Sequence, residues 1–202
     1  MTRSVRKLRQ SRQLRQFGLP LAAALLAILS WLFPPSDRAE RPAPAPPAED
    51  SLKSSDAAPW QARLLHAADG DSFTVRRLDS GQKLELRLYG VDAPESDQAY
   101  GQAARRSLLA MTEGKILTVT PMDSDPYGRV VAVVVAEGDE KSLNERQLEQ
   151  GMAWYYGYFC HAPFCKGWKA REQRARDQRA GLWRDDQPKP PRQWRQQKSR
   201  RH

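Results

Sequence analysis

Three short stretches of this chain carry side chains able to do chemistry together. Asp69-Gly70-Asp71 sets two acids one residue apart, LRLYGVDAPES carries Arg87, Asp92 and Glu95, and DPYGRVVAVV carries Tyr127, Gly128 and Arg129 at the entry to an apolar run. Carboxylate and carbonyl oxygens are the ligands a hard divalent cation takes, and a carboxylate can also orient or deprotonate a water. Guanidinium forks match phosphate oxygens and stabilise charge that builds on them. The combination is suited to metal-assisted attack on a phosphate ester. Each stretch alone has a plainer reading. D-G-D is a common turn, Y-G-R a turn entering a strand, and R-x4-D-x2-E a solvated ion pair.

The elements around them decide whether they can meet. Strand alternation puts Leu86, Leu88 and Gly90 on one face and Arg87, Tyr89 and Val91 on the other. Pro94 cannot continue a ladder, so the strand should end there and lift Asp92 and Glu95 onto a turn. ARLLHAA, SFTVRRL, KLELRLYGV, KILTVT and RVVAVVVA read as five strands, the first two joined through D-G-D. Helices are expected over DQAYGQAARRSLLAMTEG, over SLNERQLEQGMA with a capping box from Ser142 to Glu145, and over GWKAREQRARDQRAGLW. Five strands with a helix after the third suggest an α+β, mainly β domain, a five-stranded OB-fold barrel with about three helices. No internal repeat is visible.

ADGDSFTV, LRLYGVDAPES and DPYGRVVAVV, in this order and spacing, closely resemble the staphylococcal nuclease, or thermonuclease-like, family over residues 59–187. The resemblance implies a calcium-dependent nuclease on an OB-fold that hydrolyses phosphodiester bonds of DNA and RNA. Asp71 and Asp92 would bind the ion together with the backbone carbonyl of Ala93, which stands where the family member in mind has Thr. Glu95 would position or deprotonate the attacking water, Arg87 and Arg129 would bind phosphate, and Tyr127 would lie near the bound nucleotide. The alternative is a non-catalytic OB-fold that binds nucleic acid or a protein partner, a module with no need for an open acidic site beside phosphate-binding arginines. Trp154, Tyr155, Tyr156 and Tyr158 align poorly with the family's stacking tyrosines, so barrel-edge packing and base stacking both stay open.

The net charge of +9 belongs to the ends: +6 over residues 1–16, −2 over 17–58, −1 over 59–187 and +6 over 188–202. General basicity therefore says nothing about the domain itself. The apolar run 17–33 follows a basic head without acids and ends in bulky Trp31, Leu32 and Phe33 before two prolines. It reads as an uncleaved transmembrane anchor rather than a signal peptide. Charge asymmetry then puts residues 1–16 in the cytoplasm, residues 34–58 in an extended Pro/Ala-rich linker, and the catalytic domain outside a bacterial inner membrane, in the periplasm or beyond. A monomeric catalytic domain is expected. Residues 188–202 read as a solvated basic end, with a phosphate or lipid-headgroup contact as the alternative. In an outward-facing domain Cys160 and Cys165 favour a disulfide. His66, His161 and His202 lack the partners for a zinc site, and none is expected.

Overall fold

Alternation along the strands builds the barrel. In the computed structural model, which describes residues 58–200, β1 (Trp60–Ala67), β2 (Ser72–Arg77) and β3 (Lys83–Leu88) form an antiparallel meander. A two-residue β4 (Val91–Asp92) leads to α1 (Gly101–Thr112), then β5 (Leu117–Ser124), β6 (Val130–Ala136), α2 (Leu143–Glu149), a two-residue β7 (Trp154–Tyr155), α3 (Cys165–Asp177) and α4 (Pro191–Ser199). Single 3-10 turns occupy Gly157–Phe159 and Gly181–Arg184. The barrel closes in the order β1-β2-β3-β6-β5, with β3 and β6 parallel and β5 returning to β1. In β6 the buried positions are Val130, Ala132, Val134 and Ala136, every second residue, as a sheet with one face on a core requires. Val75, Leu86, Leu88, Leu117, Val119 and Val134 fill the interior, and Leu108, Leu143 and Leu148 cover its helical side. Each such side chain contributes about 1.5–3 kcal/mol by leaving water. The capping box of α2 forms as the sequence indicates: Ser142 accepts from the Glu145 N–H and Glu145 from the Ser142 N–H.

Two expectations need correction. Asp92 does not sit on an open turn. Gly90 adopts a left-handed φ of 67°, which breaks β3 from the next residues, and Val91 and Asp92 pair anew with Tyr155 and Trp154, so Asp92 is buried. There are four α-helices among the described residues rather than three. The fourth is made by the basic end: Pro191 opens α4 with a preset φ and no N–H to satisfy, and the helix runs to Ser199. The anchor expected at 17–33 and nearly all of the linker lie outside the described residues. Among the described residues no helix is long and apolar enough to cross a membrane.

Candidate active site

The D-G-D turn is held from inside. Asp69 Oδ1 accepts the backbone N–H groups of Asp71 at 2.9 Å and Ser72 at 2.7 Å, which folds the turn and feeds β2. Only glycine fits between: a Cβ on Gly70 would stand 2.5 Å from the Ala104 Cβ and 2.9 Å from that of Ala93. Buried Gln147 of α2 donates to the Gly70 carbonyl at 2.6 Å. Its neighbour Asn144 donates to the carbonyls of Tyr89 at 2.9 Å and Ala132 at 3.2 Å. One short helix thus pins both loops that carry the acids.

Arg87 leaves β3 on the face opposite Leu86 and Leu88 and forks between two buried carboxylates. Its Nη1 donates to Asp71 Oδ1 at 2.5 Å and its Nη2 to Asp92 Oδ1 at 2.8 Å. Asp71 also accepts the Ser72 hydroxyl at 2.7 Å and, through Oδ2, the Ala93 N–H at 2.5 Å. Arg129 enters from the start of β6. Asp125 fixes it with a side-chain bond of 2.7 Å to Nε, and its Nη1 reaches the Ser72 hydroxyl at 3.2 Å. Arg87, Glu95, Tyr127 and Arg129 line one cleft of about 680 Å³, with Asp69 and Ser72 at its floor and Tyr156, Phe159 and His161 along a wall.

Two arginines, Arg87 and Arg195, face three acids, the buried Asp71 and Asp92 and the half-buried Asp69. Burial and the nearby Asp71 charge push Asp69 up to about 7, against the hydrogen bonds that its oxygen accepts. Burial, then Asp71, likewise raises Asp92, although Arg87 and Arg195 pull the other way. Burial would lower the Arg87 guanidinium, but Asp71 and Asp92 outweigh it and hold its pKa above the ordinary value. Asp125 is held low by the Arg129 backbone N–H and guanidinium despite the opposing effect of burial. The acids still outnumber the arginines, and a surplus of negative charge borne on oxygen is what a hard divalent cation would offset. Among the described residues no three His, Cys, Asp or Glu side chains converge into a ready metal cage. What the site offers a cation is the Asp71 and Asp92 carboxylates, hard oxygen donors of the kind calcium takes.

Residues 85–185 match the family described as staphylococcal nuclease homologue. The chain is 35% identical over 136 residues to an uncharacterized endonuclease of Escherichia coli, a match covering 67% of this chain and 85% of that protein. It is 34% identical over 145 residues to the micrococcal nuclease of Shigella flexneri, covering 68% and 82%.

The chain belongs to the staphylococcal nuclease family.

A probable staphylococcal-like nuclease of Oryza sativa subsp. japonica is 38% identical over 117 residues, or 58% of this chain, but the match spans only 34% of that longer protein. The positions singled out by the family resemblance converge in the structure, although they come from three separate segments. Asp71, Arg87 and Asp92 touch, Ala93 donates its N–H to Asp71, and Glu95 and Arg129 face the same cleft. Tyr127 stands at the rim, 85% exposed, with the Arg129 guanidinium 5.7 Å from its ring centre. The aromatic stretch divides. Trp154 packs on Trp183 with ring centres 5.3 Å apart, Tyr156 lines the cleft, and Tyr158 is exposed. Cys160 and Cys165 form a disulfide with a Cα separation of 5.7 Å, buried against Gly90 at the corner that leads to Asp92. The His161 N–H donates to the Tyr89 hydroxyl at 2.8 Å.

Sequence reasoning missed four residues. Asp125 could have been found from its place four residues before Arg129, and Gln147 and Asn144 from being polar on the buried side of α2. Arg195 has no local signal: it lies about a hundred positions from the acids it touches.

Proposed function

We propose that this domain is a calcium-dependent nuclease that hydrolyses phosphodiester bonds of DNA and of RNA. The observation that carries the proposal is the single cleft in which Arg87, forked between Asp71 and Asp92, and Arg129, fixed by Asp125, face Glu95. Asp71, Asp92 and the Ala93 carbonyl would hold the calcium ion, which when bound polarises a phosphate oxygen. Glu95 orients the attacking water and takes its proton. Arg87 and Arg129 bind the phosphate oxygens and stabilise the charge that grows on them, an interaction worth roughly 3 kcal/mol for each donor in the transition state. Tyr127 provides an exposed ring beside the phosphate site for a sugar or base. The ion pairs with Asp71 and Asp92 on one side and Asp125 on the other keep the two guanidinium groups from reorganising as charge develops.

We also propose that residues 17–33 anchor the chain in an inner membrane and deliver the domain to its outer side, a reading supported by the charge asymmetry and in keeping with a disulfide. The test of function is incubation of the full chain with plasmid DNA in calcium and in chelator. Calcium-dependent nicking and linearisation are expected. Binding of the plasmid without cleavage would favour the non-catalytic module.

A further inference from the structure

The basic end of the chain does more than carry charge. Among the described residues, the polar ties that α4 and Lys189 make to the domain go to residues 92–98, the stretch that bears Asp92 and Glu95. Gln98 donates to the Lys189 carbonyl at 2.6 Å, and Asp97 accepts the Trp194 indole N–H at 3.1 Å and the Lys198 ammonium at 2.7 Å. These ties are exposed or near the surface and individually weak. One goes inward. Arg195 Nη1 donates to Glu95 Oε1 at 2.6 Å, and Nη2 donates to Asp92 Oδ2 at 3.2 Å. A further contact of 3.3 Å joins Nη1 to Asp92 Oδ1.

We infer that Arg195 is a positioning residue of the nuclease site, acting through Glu95 and itself seated by its second contact to Asp92. Among the described residues Arg195 is the one side chain that donates to the Glu95 carboxylate. Without it Glu95, on an irregular loop, would sample several rotamers, and few of them would point at the water to be activated. The planar fork spans the two carboxylates, so their separation and mutual orientation are fixed by one rigid group. It also gives Asp92 a second cationic partner, where Arg87 is already shared with Asp71. The other ties of α4 hold the helix so that the guanidinium arrives preformed. Misplacing a catalytic group by about 1 Å costs on the order of a hundredfold in rate.

This inference rests on the nuclease reading, and the experiment separates the two. Full-length wild type, Arg195→Ala, Arg195→Lys, Glu95→Gln and Glu95→Gln/Arg195→Ala are compared in calcium on a labelled single-stranded oligonucleotide. Affinity for the same oligonucleotide is read by anisotropy in chelator, and folding by thermal melting. Arg195→Ala should lower kcat by roughly 10- to 100-fold, with KM, oligonucleotide affinity and melting temperature nearly unchanged. Arg195→Lys should recover part of the loss, and the double variant should be no slower than Glu95→Gln alone. Should Arg195→Ala melt early, Arg195→Lys and the double variant carry the comparison. A kcat kept within twofold of wild type, a rise in kcat, a loss confined to KM or affinity, or a loss that persists in the Glu95→Gln background would each overturn the positioning role. A wild type that cleaves nothing would overturn the nuclease reading itself.

Discussion

Replacing Arg87 by methionine tests the electrostatics at the centre of the site. The substitution keeps the length of the side chain and removes the cation shared by Asp71, 1% exposed, and Asp92, 4% exposed. Breaking a buried pair by deleting one partner costs about 3–5 kcal/mol, because the remaining charge is stranded away from water. The lower end applies here. Asp71 keeps the Ser72 hydroxyl and the Ala93 N–H, and Asp92 keeps Arg195. A loss of about 3 kcal/mol in a domain of this size lowers the melting temperature by roughly 6–12 °C. The assay is thermal melting followed by circular dichroism in chelator near neutral pH, at low and high salt. The drop should persist at high salt, since ions screen a buried pair poorly. Added calcium should narrow the gap by balancing the same acids. A variant that melts within about 2 °C of wild type would refute the claim that the two carboxylates depend on Arg87.

Reduction of the Cys160–Cys165 disulfide frees a loop of sequence separation five and should cost about 2 kcal/mol on the chain-entropy estimate; denaturant titration with and without reductant measures it. Asp69, pushed up to about 7 in the fold from 3.8, binds more protons folded than unfolded between those values. The metal-free protein should therefore lose stability as pH rises from about 4 to above 7, and Asp69→Asn should flatten that slope in melts recorded across the range.

The residues that announced the site were those whose geometry is local. Strand alternation set Arg87 opposite Leu86 and Leu88, and the side-chain bonds within D-G-D and from Ser142 to Glu145 lie within three positions of each other. What could not be read is what closes over distance. The parallel pairing of β3 with β6 brings Arg87 beside Val131, two residues from Arg129, and nothing in either strand encodes that partner. Burial of Asp92 depends on a two-residue pairing with Trp154, and short pairings carry no periodicity. The sequence of the last helix shows its charge but not its fold. It folds because its prolines preset the backbone and because Asp97, Glu95 and Asp92 give its cations fixed partners.

Calcium-dependent catalysis through Glu95 is tested by the rate of oligonucleotide hydrolysis by the full chain against calcium concentration, for wild type and Glu95→Gln. Saturable, calcium-dependent cleavage that chelator abolishes is expected, with a fall of about two orders of magnitude in kcat on Glu95→Gln and substrate affinity retained. Cleavage indifferent to calcium, or a Glu95→Gln variant as fast as wild type, would contradict it.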